Sequence, residues 1–349
     1  MLITSTYKQN DCIFLLKDLT HIMPRTSIEE KERLINQGVN YSELIIDEEP
    51  VSDEMNQVFK DMVQSEKKNL AKYIATVSQG IMEFHDFPII VSLARAGSPI
   101  GVLIKHYIKF KYNLDVPHYS ISIIRGKGID ENALNYITRL WDDKDIVFID
   151  GWTGKGSITN ELEKSITDYN KKYHTNISSD LVVLADPAKM AMLCGTKKDI
   201  CIPNACLNST VSGLVSRTIE NKNYIGKTDF HGAITYSYLK YQDYSNYFIT
   251  EVEKEFTKEH RNITLGTDKN YVSEVLKQIM TEYQVNDKNK IKLSIGETSR
   301  ALIRRSPKLI LIKDKTNPNL KFILEMAKKK NIEVKETDTF DYECIGILK

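Results

Sequence analysis

A carboxylate and a glycine-rich loop follow one apolar stretch near the middle of this 349-residue chain. The apolar residues at 146–149 predict a buried parallel strand that ends on Asp150. The next residues hold three glycines, and a helix is predicted to begin near Ser157. Glycines let backbone N–H groups converge, and the helix dipole favours an anion. The segment therefore predicts a phosphate site, with an ordinary strand–turn–helix connection as the alternative.

The side chains of this loop suit the same chemistry. Lys155 can add positive charge, and the hydroxyls of Thr153 and Ser157 can donate hydrogen bonds. The Walker phosphate loop is excluded because Lys155 is followed by glycine instead of serine or threonine. The substrate-binding residues predicted here are Gly151, Trp152, Thr153, Gly154, Lys155, Gly156 and Ser157.

Two similar turns precede this one. A buried strand is predicted at 88–93, and it leads through Arg95, Ala96 and Gly97 into a helix. A second strand at 119–124 ends on a basic turn that contains Arg125 and Lys127. Because parallel strands present their carboxyl ends at one edge of a sheet, the order of elements predicts an α/β fold with its site at that edge.

Further polar residues follow downstream. A strand at 181–186 ends on Asp186, and Lys189 lies one turn later. The less regular stretch at 201–218 contains several hydroxyl groups and one guanidinium. This composition is typical of either a specificity pocket or a capped helix that begins at Ser209. The binding residues predicted there are Ser209, Thr210, Ser212 and Arg217.

A thiol peptidase is an alternative of a different class. It needs a cysteine and a histidine within hydrogen-bond reach, together with an orienting group. Cys206 and His231 are the best pair for this role, with Asn208 or Asp229 as the orienting residue. Cysteine is more often buried and unreactive, so Cys206 is predicted not to be a nucleophile.

The amino-acid composition indicates the cellular setting of the protein and its possible partners. Five cysteines, none in a CxxC pair, favour a reduced, cytoplasmic setting without a zinc ribbon. No apolar stretch approaches the roughly 18 residues of a membrane span. The net charge is +1, but residues 266–349 carry 17 basic and 12 acidic residues. This basic segment predicts either a polyanion partner or simply solvated lysines.

The three strand–turn–helix segments, taken in order, resemble type I phosphoribosyltransferases. Gly151 stands where that family has a second acid, and the loop is about one residue short. The resemblance implies that Asp150 binds the ribose hydroxyls and that residues 153–157 hold the 5-phosphate. It further implies that Arg95, Arg125 and Lys127 neutralise a diphosphate, with Mg²⁺ bound through phosphoribosyl diphosphate.

The basic C-terminal segment resembles the Pelota-type RNA-binding domain. The match is the sequence Gly-Glu-Thr-Ser-Arg-Ala at 296–301, followed by an apolar strand at 308–313. An accessory α/β domain without RNA is the alternative. The resemblance implies RNA contacts from Gly296, Thr298, Ser299, Arg300, Arg304 and Arg305.

The whole chain resembles the phosphoribosyltransferase-like proteins of tellurium-resistance stress clusters, a family also labelled cysteine protease StiP. We therefore expect residues 1–265, which include a helical N-terminal extension, to form a phosphoribosyltransferase-like domain. Residues 266–349 are expected to form a small Pelota-like domain that folds alone. Three functions remain open: a magnesium-dependent phosphoribosyltransferase, a nucleotide- and RNA-binding regulator without turnover, and a cysteine peptidase. A homodimer is compatible with each.

Overall fold

The computed structural model describes residues 1–263 and 265–349, and every side chain among them except that of Arg304. The strands are β1 (Ile13–Phe14), β2 (Lys17–Asp18), β3 (Ile89–Leu93), β4 (His118–Ile121), β5 (Ile123–Ile124), β6 (Gly128–Ile129), β7 (Ile146–Trp152), β8 (Leu181–Ala185), β9 (Leu193–Thr196), β10 (Gly232–Ala233), β11 (Ile291–Leu293), β12 (Pro307–Ile312), β13 (Glu333–Glu336) and β14 (Cys344–Leu348). The helices are α1 (Ile28–Asn36), α2 (Asp53–Phe84), α3 (Ser98–Tyr112), α4 (Glu131–Thr138), α5 (Ser157–Tyr173), α6 (Ser245–Glu253), α7 (Tyr271–Glu282), α8 (Ile295–Arg304) and α9 (Lys321–Lys329).

The main sheet is parallel, as the sequence predicts, and its strand order is β1-β4-β3-β7-β8-β9. Val91 of β3 lies between Tyr119 of β4 and Phe148 of β7. The central strands are apolar and covered on both faces, which explains why they appear in the sequence as continuous apolar runs. The α/β class with a parallel sheet is thereby confirmed.

The strand order reverses between β3 and β7. The chain leaves β3 to form β4 on one side, and then returns to form β7 on the other side of β3. In open α/β sheets such a reversal leaves a crevice at the carboxyl ends of the two strands, where ligands bind. The turn that carries Arg95 and the loop that begins at Asp150 both lie at this position.

Helices cover both faces of the sheet. Leu70 of α2 and Ile104 of α3 belong to the core on one face, whereas Leu134 of α4 and Leu162 of α5 belong to the core on the other. The apolar stripe of the long helix α2 is therefore a packing surface. Among the helices that the structure describes, none is long and apolar enough to cross a bilayer.

The N-terminal segment contains two short strands before its helices. β1 pairs in parallel with β4 at the edge of the main sheet, and β2 pairs with β10 from much later in the chain. These pairings join residues that are distant in sequence, so local periodicity does not reveal them. Helix α1 begins at Ile28, because the Ser27 side chain accepts a hydrogen bond from the Glu30 N–H.

The C-terminal residues form a second sheet in the order β11-β14-β12-β13, with α7, α8 and α9 beside it. Its apolar core continues into the first part of the chain. Met55, Val58 and Met62 from the start of α2 share one buried cluster with Leu302 and Phe322. The two parts of the chain are thus docked through an apolar interface.

Candidate functional site

The Arg95 turn and the Asp150 loop touch each other through their backbones. A Cβ atom on Gly97 would lie 2.3 Å from the Ile149 carbonyl oxygen, so only glycine fits there. A Cβ on Gly151 would lie 3.4 Å from the Ala96 carbonyl oxygen. Ala96 and Gly97 therefore fix the distance between the two turns.

Asp150 lies at the end of β7, recessed but still partly exposed. One carboxylate oxygen accepts the Gly151 N–H at 2.7 Å. Burial raises the pKa of Asp150 to about 6; Glu297 also raises it, while the Gly151 N–H and the Arg300 guanidinium act in the opposite direction. The carboxylate is mainly charged at neutral pH and can accept hydrogen bonds from sugar hydroxyls.

Arg95 is buried and already has protein partners. Its Nη2 lies 2.8 Å from a Glu48 carboxylate oxygen and 3.1 Å from the Asn208 side-chain oxygen, and its Nη1 donates to the Val215 carbonyl at 2.9 Å. Burial alone would raise the pKa of Glu48, but Arg95 and the donors of Ser209 hold it below its usual value. A ligand anion would therefore share Arg95 with Glu48.

Thr153 and Asp186 stabilise the start of the glycine-rich loop. The Thr153 hydroxyl donates to Asp186 at 2.5 Å, and the Thr153 N–H donates to the Ala185 carbonyl at 3.0 Å. Asp186 also accepts the N–H groups of Met190 and Ala191. Both side chains are buried, so they shape the loop from beneath.

The sheet β11–β14 and the helices α7–α9, called the second domain from here on, cover the rest of this loop together with Met190 of the first domain. Gly156 has φ +71°, and a Cβ there would lie 1.8 Å from the Met190 sulphur. A Cβ on Gly154 would lie 2.3 Å from Glu297 Cγ, and the Gly154 carbonyl accepts the Tyr342 hydroxyl at 3.0 Å. The loop therefore packs closely against the second domain, and Ser157 begins α5 behind it.

Lys155 faces the second domain. Its Nζ donates to the Lys288 carbonyl at 2.9 Å. Burial, followed by the neighbouring charge of Lys292, lowers the pKa of Lys155 to about 8. Lys189 also turns towards this domain, with its Nζ 3.6 Å from the centre of the Tyr271 ring.

Arg125 and Lys127 lie on the β5–β6 hairpin beside α5. Arg125 donates to the Asn289 side chain at 2.7 Å, and Lys127 pairs with Glu220 at 2.8 Å and Glu43 at 3.1 Å. Within the described residues, neither side chain hydrogen-bonds to the Asp150 loop. Their predicted contact with a diphosphate stays a prediction.

The predicted specificity residues surround the Arg95–Glu48 pair. Ser209 donates to Glu48 from its N–H at 2.9 Å and its hydroxyl at 2.7 Å. Ser209 begins only a short 3₁₀ turn, so the alternative of a capped α-helix is wrong. Ser212 donates to the Asn208 carbonyl at 3.1 Å, and the enclosed Thr210 hydroxyl has no hydrogen-bond partner among the described residues.

Arg217 belongs to the same surroundings. Its guanidinium stacks on Tyr41 at 5.4 Å and donates to the Leu44 carbonyl. Burial lowers the pKa of Arg217, and the nearby Arg95 contributes in the same direction. This residue orders the segment around Glu48.

The predicted pair of Cys206 and His231 does not form. The Cys206 sulphur lies 3.6 Å from the Cys201 sulphur and 3.9 Å from the Met62 sulphur, within the buried cluster between the domains. His231 Nδ1 lies 2.8 Å from the Ser122 hydroxyl. Asp229, a proposed orienting residue, pairs with Lys17 at 2.6 Å. Apolar packing placed Cys206 where no acid–base partner is near it.

A different cysteine contacts a histidine. The Cys12 sulphur lies 3.7 Å from His118 Nε2, and the Ser92 hydroxyl lies 2.7 Å from the same nitrogen. Burial raises the pKa of Cys12 and lowers the pKa of His118 to about 3. Both side chains are therefore neutral, which disfavours the thiolate–imidazolium pair of a peptidase.

The residues expected to contact RNA lie mostly in the domain interface. Thr298 and Ser299 are fully buried, and a Cβ on Gly296 would lie 2.4 Å from the Trp152 ring. Arg300 stacks on the same ring at 4.8 Å. Gly296 and Arg300 face the first domain, whereas the Thr298 hydroxyl donates to the Lys292 carbonyl at 3.2 Å within its own domain. In this arrangement Gly296, Thr298 and Ser299 are too buried to contact RNA. Arg305 is exposed, whereas the Arg304 side chain lies outside the described part of the chain.

Two functional acids were not predicted. Asp199 accepts backbone N–H groups from Ile295, Glu343 and Cys344, so one carboxylate of the first domain fastens two elements of the second. Glu48 compensates the charge of Arg95. Neither acid belongs to a recognisable motif, because its partners come from distant parts of the chain.

The fold defines a parallel α/β protein in which the turns after β3 and β7 meet at one edge of the sheet and a second domain packs over the glycine-rich loop. The chain belongs to the StiP family, described as "Tellurite-like stress resistance cysteine protease StiP", whose model matches residues 5–253. A model of the PELOTA RNA-binding domain matches residues 271–349. A curated relative, "Cysteine protease StiP" of Acinetobacter baylyi, is 33% identical, and the match covers 99% of this chain and 94% of the relative.

Two solved phosphoribosyltransferases show weak similarity. A hypoxanthine-guanine-xanthine phosphoribosyltransferase is 13% identical with a TM-score of 0.26, covering 49% of this chain and 93% of the other. A hypoxanthine phosphoribosyltransferase of Staphylococcus aureus is 14% identical with a TM-score of 0.25, covering 40% and 77%. TM-scores this low establish no common fold, so any functional argument rests on the geometry of this chain.

Proposed function

We propose that this chain is a phosphoribosyltransferase-type enzyme of a bacterial stress pathway, and that it binds phosphoribosyl diphosphate at the crevice between β3 and β7. One observation carries the proposal: Asp150 and the glycine-rich loop meet the Arg95 turn where the strand order reverses. The base or other acceptor is not specified by these residues.

The proposed roles follow from the chemistry of each group. The Asp150 carboxylate would accept hydrogen bonds from the ribose hydroxyls and stabilise the positive charge that develops on the ribose ring. The Thr153 N–H already donates to Ala185, so backbone N–H groups at 154–157 would hold the 5-phosphate at the start of α5. As the bond from ribose to diphosphate breaks and a bond to the acceptor forms, Arg95 would help to compensate the charge of the leaving diphosphate.

A magnesium ion fits this site only if it arrives with the ligand. Among the described residues no group of three or more His, Cys, Asp or Glu side chains could hold a metal ion. Magnesium often binds through one or two carboxylates and the substrate phosphates, and Asp150 can supply one such carboxylate. When bound, the ion would neutralise charge on the diphosphate.

Diphosphate release tests the proposal. The wild-type chain is incubated with Mg²⁺, phosphoribosyl diphosphate and a panel of bases, and released diphosphate is measured. We expect magnesium-dependent release that Asp150→Asn abolishes. Failure of the wild type to bind phosphoribosyl diphosphate by calorimetry would refute the proposal. Binding without release would instead favour a regulatory binder, which Gly151 in place of a second acid already supports.

A cysteine peptidase is the second candidate, because the family and its curated relative carry that description. The neutral Cys12–His118 contact and the buried Cys206 argue against it. Peptide hydrolysis that an alkylating reagent blocks, with a covalent adduct on one cysteine, would establish this alternative.

A further inference from the structure

Arg300 is a half-buried cation at the border of the proposed ligand site. Its guanidinium stacks on Trp152, two residues after Asp150. Its Nε atom is buried and has no hydrogen-bond partner among the described residues. No described carboxylate lies within ion-pair distance of it, in contrast to Arg95, which pairs with Glu48.

The position of Arg300 is fixed by close packing. Gly296 lies one helical turn earlier on α8 and rests directly against the Trp152 ring, where any side chain would collide. Because residues four apart share one face of a helix, Arg300 necessarily projects over the same ring. The guanidinium therefore lies over the Trp152 ring, close enough to Asp150 for the two charges to influence each other.

The charges around Arg300 suit an anion. Burial lowers the pKa of Arg300 to about 10, and the nearby Arg95 acts in the same direction, while Asp150, Glu297 and Glu48 oppose it. Two guanidinium groups held near each other in a cleft are stabilised when a phosphate neutralises them. A planar guanidinium also offers paired donors that match phosphate oxygens.

We propose that Arg300 is a ligand-binding residue, whose guanidinium contacts a phosphate group of the sugar phosphate at Asp150, so that both domains assemble one site. This inference rests on the proposed function. It assigns the Pelota-like domain a direct part in small-molecule binding. The competing explanation is that Arg300 only fastens the domains through its contact with Trp152.

Tryptophan fluorescence can separate these explanations. The chain contains two tryptophans, and Trp141→Phe leaves Trp152 as the sole emitter. In this background the emission without ligand reports docking of the domains, and its change on titration reports binding. The probes are inorganic pyrophosphate and ribose 5-phosphate, each with Mg²⁺, together with phosphoribosyl diphosphate.

We expect Arg300→Met to weaken binding of pyrophosphate, ribose 5-phosphate or both by about tenfold or more, because a charge-assisted contact is lost. The probe affected identifies which phosphate Arg300 contacts. The emission maximum without ligand should stay within a few nanometres of that of the parent. Arg300→Lys should recover part of the affinity. The matched control, Arg305→Met, removes an exposed arginine next to the same helix and should change binding less than about twofold.

Three outcomes would overturn the inference. Unchanged affinity for both probes in Arg300→Met, while the parent binds them, refutes it and leaves the proposed function intact. Loss of affinity together with a red-shifted emission before ligand is added, with no recovery by Arg300→Lys, assigns Arg300 to domain docking alone. Failure of the parent chain to bind any of the three probes refutes both proposals.

Discussion

At the scale of single residues, the site is defined by how its charges are compensated. Arg95 has Glu48 as a counter-ion, whereas Asp150 and Arg300 influence each other without forming an ion pair within the described chain. Burial disfavours an uncompensated charge, and a bound ligand would relieve that cost. Asp150 is therefore expected to destabilise the free protein and to contribute to ligand binding.

Changing Asp150→Asn should stabilise the free protein at pH 7.5. Burial raises the pKa of this carboxyl to about 6, so the charged Asp150 side chain destabilises the folded state above pH 6. This destabilisation decreases as the pH falls from 6 towards the ordinary pKa of an aspartate. With allowance for its partial exposure, we expect a gain of about 1–2 kcal/mol at pH 7.5 and a smaller gain at pH 5.0. Urea unfolding at both values measures this. A less stable variant at pH 7.5 would contradict the assignment.

Changing Cys206→Ser should leave the principal activity intact. The thiol is 2% exposed and contacts other sulphur atoms, so it is a packing group. A hydroxyl in this apolar cluster should cost about 1–2 kcal/mol of stability. Activity is compared per mole of folded protein, with Cys201→Ser as the matched control. An inactive but folded Cys206→Ser protein would contradict this and favour the peptidase.

At the scale of elements, the start of α8 and the strand β14 are joined to the first domain by one carboxylate. Asp199 is buried and accepts three backbone N–H groups from the second domain. Burial raises its pKa to about 7, with the three N–H donors acting in the opposite direction. Without this acceptor, buried N–H groups would lose their partners.

Changing Asp199→Ala should therefore weaken domain docking by about 2–3 kcal/mol, because three buried N–H groups would lose their acceptor. Chemical unfolding and proteolysis of the connection at 254–270 measure the effect. The control is Asp61→Asn, which breaks an exposed interdomain pair with Lys321 at 3.0 Å and should cost less than about 1 kcal/mol. Equal effects of the two changes would show that Asp199 is not the stronger link.

At the scale of the whole molecule, the two domains share apolar cores as well as a cleft. Ala188 and Met190 of the first domain belong to the buried cluster of the second. A separated second domain would expose that surface. Residues 266–349 were predicted to fold alone and to bind RNA through residues that include Arg300. Because of the shared surface, RNA binding is best tested with the intact chain.

In the intact chain, Arg305 should contribute to RNA binding and Arg300 should not. Arg305 is exposed beside α8, whereas Arg300 lies in the cleft. We expect Arg305→Ala to weaken binding of structured RNA and to lower the salt slope by about 1. Fluorescence titration across a range of salt concentrations tests this. A strong effect of Arg300→Ala on RNA affinity, with none from Arg305→Ala, would show that the domains separate to bind RNA.

Local sequence was sufficient for much of the fold. Apolar runs predicted β3, β7 and β8, and the glycine-rich turn predicted the start of α5 near Ser157, because these features depend on residues near in the chain. The same reasoning placed the Arg95 turn and the Asp150 loop at one edge of a sheet. Sequence therefore determined the elements and the turns of the candidate site.

Tertiary structure decided which side chains meet. Glu48 pairs with Arg95, Cys12 contacts His118, and Arg300 lies over Trp152. Cys206 and His231, the candidate pair of the peptidase alternative, lie against other partners. Each contact joins residues that are far apart in the chain, and none has a local signature. The physical reason is that burial of apolar surface docks the second domain, and this docking places the helix expected to meet RNA against the crevice of the first domain.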